Sequence, residues 1–259
     1  MTNSLALKSL AASAKGKLLV TAAYKYVAMA VMLTNCTLFL KETSLPPDSS
    51  LTQTNIILSR CSVSPPRLMG FGGSIVTKKY FFGFGHDHLA NFWQWEFHSE
   101  SMKNIRAQQD EWSKMASQIG TNEVRQLALN WLMNLGVNTA AMEKKYPCKI
   151  TQRFFYRRDD GKLEPQSKSV IPLPIFQISW GSISLRGHPQ YSFPAATMTI
   201  FGPTKQLIEY HLFDDSLMLQ KLEIADFEKL LVISNSVFDK FDERQRNHLI
   251  ETYDVFGGN

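Results

Sequence analysis

Cysteine is scarce in this chain. Cys36, Cys61 and Cys148 are the only three in 259 residues, and none forms a C-x-x-C pair. A disulfide-dense scaffold is therefore excluded. Two arrangements of Cys61 and Cys148 stay open: one bridge between them, or separate thiols. Acid is absent from the first 41 residues, and Glu42 is the first carboxylate. The lysines before it (Lys8, Lys15, Lys17, Lys25 and Lys41) match the whole formal charge of +5, so the remainder is close to neutral. A basic excess confined to one end argues against a nucleic-acid-binding surface spread over the fold. An uninterrupted apolar run of the ~20 residues that span a membrane is missing as well. Charged residues make up only 20% of the chain against 44% apolar ones, which excludes a disordered protein.

What is plentiful is aromatic: 17 Phe, 8 Tyr and 5 Trp. Aromatic residues alternating with period two favour strands, and the length suits one large or two modest domains. The expected class is α+β, a helix packed on a small antiparallel sheet. A degenerate two-module repeat is the alternative to one continuous domain.

Residues 1–40 read as a leader. After Lys25 comes YVAMAVML at 26–33, a positive region followed by ~7–15 apolar residues, as in a secretory signal. Leu33-Thr34-Asn35-Cys36 resembles a bacterial lipobox, with Asn35 where Gly, Ala or Ser is usual. Three readings follow: a cleaved or lipidated leader, an uncleaved anchor using 18–40 with Lys25 snorkelling, or a core helix. The first places the protein outside the cytoplasm, secreted, periplasmic or envelope-anchored. The last is compatible with the cytoplasm.

Residues 41–72 read as an irregular linker, punctuated by Pro46-Pro47-Asp48 and Ser64-Pro65-Pro66. A first module spans 73–120. It contains a hairpin around Gly85-His86-Asp87-His88, with Tyr80, Phe82 and Phe84 alternating on its first strand and Trp93, Trp95 and Phe97 on its second, read as one aromatic face that packs on a helix. A connecting helix follows at 102–119. The clearest helix is 123–135, where Val124, Leu127, Ala128, Trp131, Leu132 and Leu135 form one stripe. Asn122 or Thr121 caps its start and Gly136 ends it. Asn138 caps a short helix at 139–145. Strands follow at 149–157, 173–180, 195–201 and 206–213, with a loop around Gly187, His188, Pro189 and Pro194. Residues 214–259 carry two helices, about 224–233 and 238–253, burying Leu222, Phe227, Leu230, Leu231, Val237 and Phe241.

Thr199-Ile200-Phe201-Gly202-Pro203-Thr204-Lys205-Gln206-Leu207 closes a helix-plus-three-strand unit over 121–213. In that order the unit resembles the PepSY family, whose last two strands are joined by a turn that often reads D-P-x-T-G-E. Gly202 stands at the family's Asp and Lys205 at its Gly. Cystatin-like folds share the layout. The resemblance implies an extracytoplasmic, non-catalytic, regulatory or peptidase-associated role.

Candidate chemistry is sparse. His86 and His88, with His98 nearby, form the one close histidine pair; two such residues on one face can hold a metal, but a hairpin turn exposes them to water. Gly70-Phe71-Gly72-Gly73 precedes a strand rather than the helix a phosphate cradle needs. Arg153, Arg157 and Arg158 interleave with Phe154, Phe155 and Tyr156; strand parity separates the arginines from Phe154 and Tyr156, so no nucleic-acid partner is expected. Asp159-Asp160 and Asp214-Asp215 end strands and read as solvated. Ser182, Ser184 and Ser192 lack a G-x-S-x-G setting. No catalytic, cofactor-binding or metal residue is named, and no cofactor is expected. The leading expectation is a non-catalytic exported module that binds a protein or peptide through its sheet or an edge strand. The competing one is an enzyme or small-ligand carrier with Trp93, Trp95, Trp131 or Trp180 lining a pocket between sheet and helices.

Overall fold

A computed structural model describes residues 14–64, 67–85, 88–97, 102–157, 169–185 and 188–219. They form a mixed α/β structure dominated by one eight-stranded sheet. Helix α1 (Ala14–Glu42) leads into β1 (Ile56–Ser64), β2 (Arg67–Val76), β3 (Tyr80–Gly85) and β4 (His88–Gln94). Helices α2 (Met102–Trp112), α3 (Thr121–Asn134) and α4 (Thr139–Lys145) come next. Strands β5 (Cys148–Arg157), β6 (Ser169–Trp180), β9 (Ala196–Phe201) and β10 (Gln206–Leu212) complete the sheet. A separate hairpin, β7 (Ile183–Leu185) with β8 (His188–Phe193), is inserted between β6 and β9.

Spatial order in the sheet is β1-β2-β3-β4-β10-β9-β6-β5, and every neighbouring pair is antiparallel. Two four-stranded meanders thus meet along β4 and β10. The seam is short: Glu209 faces Trp93, Tyr210 faces Phe92 and His211 faces Asn91. The buried Gln94 side chain extends it by donating to the Leu207 carbonyl at 2.6 Å.

One sheet face carries the main core. Tyr80, Phe82 and Phe84 alternate inward on β3, with Phe92, Ile178, Trp180, Met198, Ile200 and Tyr210 on the other strands. The α1 helix packs here through Ala28, Met32, Cys36, Phe39 and Leu40, all buried. The Phe39 ring lies 6.1 Å from Phe82, 4.7 Å from Phe92 and 5.7 Å from Tyr210. The aromatic face of the β3–β4 hairpin therefore packs on the helix that reads as a leader. Among the described residues no helix is long and apolar enough to cross a membrane.

The stripe on α3 buries Val124, Ala128, Trp131 and Leu132. Its C-terminus is a Schellman turn: Gly136 takes φ 80°, Val137 N–H donates to Leu132 O, and Gly136 N–H donates to Met133 O. At the other end Gly120 is the N-cap and no side chain caps it, so neither Asn122 nor Thr121 does so. Asn138 does cap α4, accepting from Ala141 N–H at 3.0 Å.

Elsewhere the chain departs from the expectations. Within 41–72, β1 and the start of β2 are strands; their Gly- and Ser-rich sequence lacks alternation, and they are held by antiparallel register with each other, while only the end of β2 (73–76) pairs with β3. The connecting helix stops at Trp112, and Ile119 is buried from the following irregular stretch. β4 ends at Gln94, and Trp95 and Phe97 belong to a 3-10 turn, whose first residue still donates its N–H across to Lys79 O. The loop around Pro189 is the β7–β8 hairpin. Residues 121–213 supply four strands to the main sheet rather than three. The helices expected at 224–233 and 238–253 lie outside the described residues.

Candidate functional site

The second face of the sheet lacks α1 and α3. Near the β9–β10 turn it is covered by α2: Trp112 and Phe97 stack at 5.2 Å and both lie against Phe201, above Leu173, Ile175 and Ile208. Toward the end of β10 the β7–β8 hairpin approaches, with Phe193 stacked 5.7 Å from Phe213. Between these flanks, among the described residues, no helix covers the stretch built by β3, β4, β10, β9 and β5.

Strand parity puts Glu209 and His211 of β10 on this face beside Asn91 of β4 and Thr199 of β9. Glu209 is the hub. Its Oε2 accepts from Arg153 Nη2 at 2.8 Å and from Thr199 Oγ1 at 2.9 Å. Its Oε1 lies 3.1 Å from His211 Nε2, while His211 Nδ1 lies 2.8 Å from Asn91 Oδ1. Burial alone would raise the Glu209 carboxyl. The hydrogen bonds from His211 and Thr199, with the Arg153 charge, overcome it and hold it at about 2. Gly83 faces Asn91 across the β3–β4 pair, and a Cβ there would crowd Phe81 and Asn91 at 3.1–3.2 Å. Glycine leaves room for the Asn91 amide to lie beside this network.

Next to the polar hub stands an aromatic one. Phe81 and Trp93 are stacked at 3.7 Å and 8°, and Trp95 meets both edge-on. All three are half-buried. On the other side His211 stacks at 5.7 Å on Phe213, which is 43% exposed.

A carboxyl held near 2 is a weak base at neutral pH and carries no proton to donate. Both Glu209 oxygens are occupied by protein donors. The cluster therefore suits positioning and recognition better than proton transfer. Among the described residues no three His, Cys, Asp or Glu side chains gather as a metal cage.

The residues singled out from sequence are scattered. His88 does not face water in a turn: it pairs with Gly85 at the start of β4 and is 2% exposed. His86 and His98 lie outside the described residues, as do Arg158, Asp159 and Asp160. Gly70, Phe71, Gly72 and Gly73 are all strand residues of β2. Of the basic–aromatic run, Arg153 reaches the hub and Phe154 is 51% exposed; Phe155, Tyr156 and Arg157 continue β5. Asp214 is not simply solvated. It accepts from Tyr146 Oη at 2.6 Å and Lys145 Nζ at 3.0 Å, and it caps the next 3-10 turn through Ser216 N–H. Burial opposes its ionisation, but bonds from Ser216, Tyr146 and Lys145 hold it at about 2. Ser184 and Ser192 face each other across β7–β8, and Ser182 is exposed. Trp131 and Trp180 are core residues, whereas Trp93 and Trp95 belong to the aromatic hub. Cys61 and Cys148 sit on β1 and β5, at opposite edges of the sheet. Seven strand spacings of ~4.8 Å separate them, against a Cα span of ~4.4–6.8 Å in a disulfide.

Sequence reading missed Glu209, His211 and Asn91. Parity alone could have put Glu209 and His211 on one face, but nothing local links them to Asn91 or Arg153. A cavity of about 60 Å³ lies on the opposite face. Phe39, His88 and Tyr210 form its buried base, with Leu38, Leu135 and Met218 at the mouth. No family model, curated protein or solved structure matches the chain.

Proposed function

We propose that this protein is a non-catalytic module that binds a protein or peptide partner across the stretch of its sheet built by β3, β4, β10, β9 and β5. One observation carries the reading: the half-buried Phe81–Trp93 stack stands beside the Arg153–Glu209 ion pair on a face that α1 and α3 leave uncovered. Tryptophan and arginine anchors next to satisfied polar groups are the composition of interface centres. The face is favoured over the sheet edges, because both outer strands carry register breaks: β1 at 58–60 and 61–63, β5 at 152–154. Such bulges guard edges against strand addition. The cavity beside Phe39 and Tyr210, about 60 Å³ against the ~300–1,000 Å³ of ligand pockets, lends the small-ligand alternative no support.

Export belongs to this reading, supported by the acid-free first 41 residues. It goes with a retained α1. A cut before Cys36 would separate Met32 from the fold and unseat the helix whose Phe39 covers Phe82, Phe92 and Tyr210. The shared order of helix and four-stranded meander supports a two-module layout, α1 with β1–β4 and α3 with β5, β6, β9 and β10. The PepSY-like resemblance adds only its layout.

Quantitative affinity capture with the full chain and with Trp93→Ala tests the binding surface. A partner lost from the variant while circular dichroism is unchanged supports it. Identical capture by both proteins, or substrate turnover abolished by Trp93→Ala, would sink it. Intact-mass measurement tests the retained helix: a folded mature form lacking residues 1–35 counts against it.

A further inference from the structure

Given the binding role proposed above, we infer that the partner is an acidic peptide segment and that His211 gates its binding: the imidazolium form holds the segment, and binding weakens as the ring loses its proton.

The ring sits between two oxygens. His211 Nε2 lies 3.1 Å from Glu209 Oε1, and Nδ1 lies 2.8 Å from Asn91 Oδ1. A neutral imidazole has one N–H and one lone pair, so it donates to only one of them; an imidazolium donates to both. The Asn91 amide turns its oxygen to the ring and its nitrogen toward Gly83, where a Cβ would come within 3.2 Å of Nδ2. Histidine is the side chain whose charge ordinarily changes between about pH 5 and 8. Glu209, held at about 2, stays ionised across that range.

The partner's chemistry follows from the charges around the ring. Cross-strand pairing sets Lys149, Ser179, Thr197 and His211 in one row and Thr151, Gln177, Thr199 and Glu209 in the next. Asn91, Gly83 and Ser74 continue the first row; Trp93, Phe81 and Val76 continue the second. Glu209 is the single carboxylate in these rows, and Arg153, reaching in from β5, already engages it. Lys149 is exposed. With His211 protonated, three positive groups stand against one negative. Phe213, stacked on the ring, is neutral. The β7–β8 hairpin beyond it carries His188, and Arg186 in its turn lies outside the described residues. The ring's N–H groups are taken, so it acts on a partner carboxylate through its charge, while Lys149 and Arg153 supply donors. An apolar neighbour of that carboxylate meets the Phe81–Trp93 stack. Complementary charge of this kind fixes partner choice and register.

The test pans an immobilised library of short, unphosphorylated random peptides with the full chain at about pH 6 and about pH 8. Peptides retained at the lower value should be enriched in Asp and Glu beside an apolar residue, and should bind about two- to fivefold more tightly there. His211→Gln should remove that pH response, and His188→Gln should leave it in place. Retained peptides without acidic bias, equal affinity at both values, or a response that survives in His211→Gln overturn the gate and leave the binding role standing. A library with no retained peptide at either value sinks both. Should His211→Gln lose the peptides altogether, the ring ¹⁵N shifts of the unaltered protein decide. A midpoint shared with the affinity change supports the gate, and a ring whose charge stays constant between the two values overturns it.

Discussion

The ring of Phe39, from a segment that reads as a leader, lies 4.7 Å from the ring of Phe92 in the fourth strand and 5.7 Å from Tyr210 in the tenth. One side chain of α1 thus touches both sides of the seam between the two meanders.

Phe39→Ala is expected to destabilise the fold by about 3–5 kcal/mol, the usual cost of emptying a buried phenylalanine site. Leu38→Ala, at a position 44% exposed, should cost far less, about 1 kcal/mol or under. Denaturant unfolding of the two variants checks this. Equal, small effects would mean that α1 contributes little to the core.

Glu209 gives a pH dependence with a definite sign. Its carboxyl is lowered from 4.5 to about 2 in the folded protein. A group whose folded value is depressed adds stability above its unfolded value and loses it as pH falls toward the folded one. Stability should therefore decline between about pH 4.5 and 2. Glu209→Gln should flatten that decline, by an amount of order 1–2 kcal/mol given the partly solvated Arg153 partner. Urea unfolding midpoints of both proteins from pH 7 to pH 2 provide the measurement. Parallel curves would remove the hub from the stability account. Asp214 makes a similar contribution, so Glu209→Gln leaves part of the acid sensitivity in place.

Gly181 joins β6 to the β7–β8 hairpin with φ 57°, and a Cβ there would collide with the Tyr146 ring. Gly181→Ala should cost about 2 kcal/mol or more, combining left-handed strain with the clash. Gly85→Ala meets nothing closer than 3.9 Å and should cost less. Thermal melts of both variants distinguish the two sites.

Thiol chemistry should follow the sheet order. Cys61 and Cys148 occupy opposite edges, so non-reducing mass analysis should find no bridge between them. Burial pushes the Cys36 thiol well up, and Cys36 should react with alkylating reagents only on unfolding. A Cys61–Cys148 linked peptide from folded monomer would overturn the strand order itself.

How much of this was legible in sequence depends on the range of the signal. Helix α3 was, because its stripe and Gly136 are local. Its start was less so: Gly120 caps with no side chain, where Thr121 and Asn122 offered better chemistry. The strands β9 and β10 and their turn were visible. Lys205 occupies the left-handed position at φ 55°, where the PepSY-like pattern has glycine. By contrast β1 and β7–β8 gain their strand character from neighbours, not from alternation. The hub was invisible for a stronger reason. Asn91 and His211 are 120 residues apart and meet only once the seam is closed.

That seam has a kinetic consequence. Each meander can assemble from pairings near in sequence, but the three facing pairs between β4 and β10 require the chain to close on itself over more than a hundred residues. Contacts of such long separation slow folding. Seam closure is thus expected to be the late, rate-setting event, and a chain arrested before it would expose β4 and β10 as two raw edges able to pair with those of another molecule.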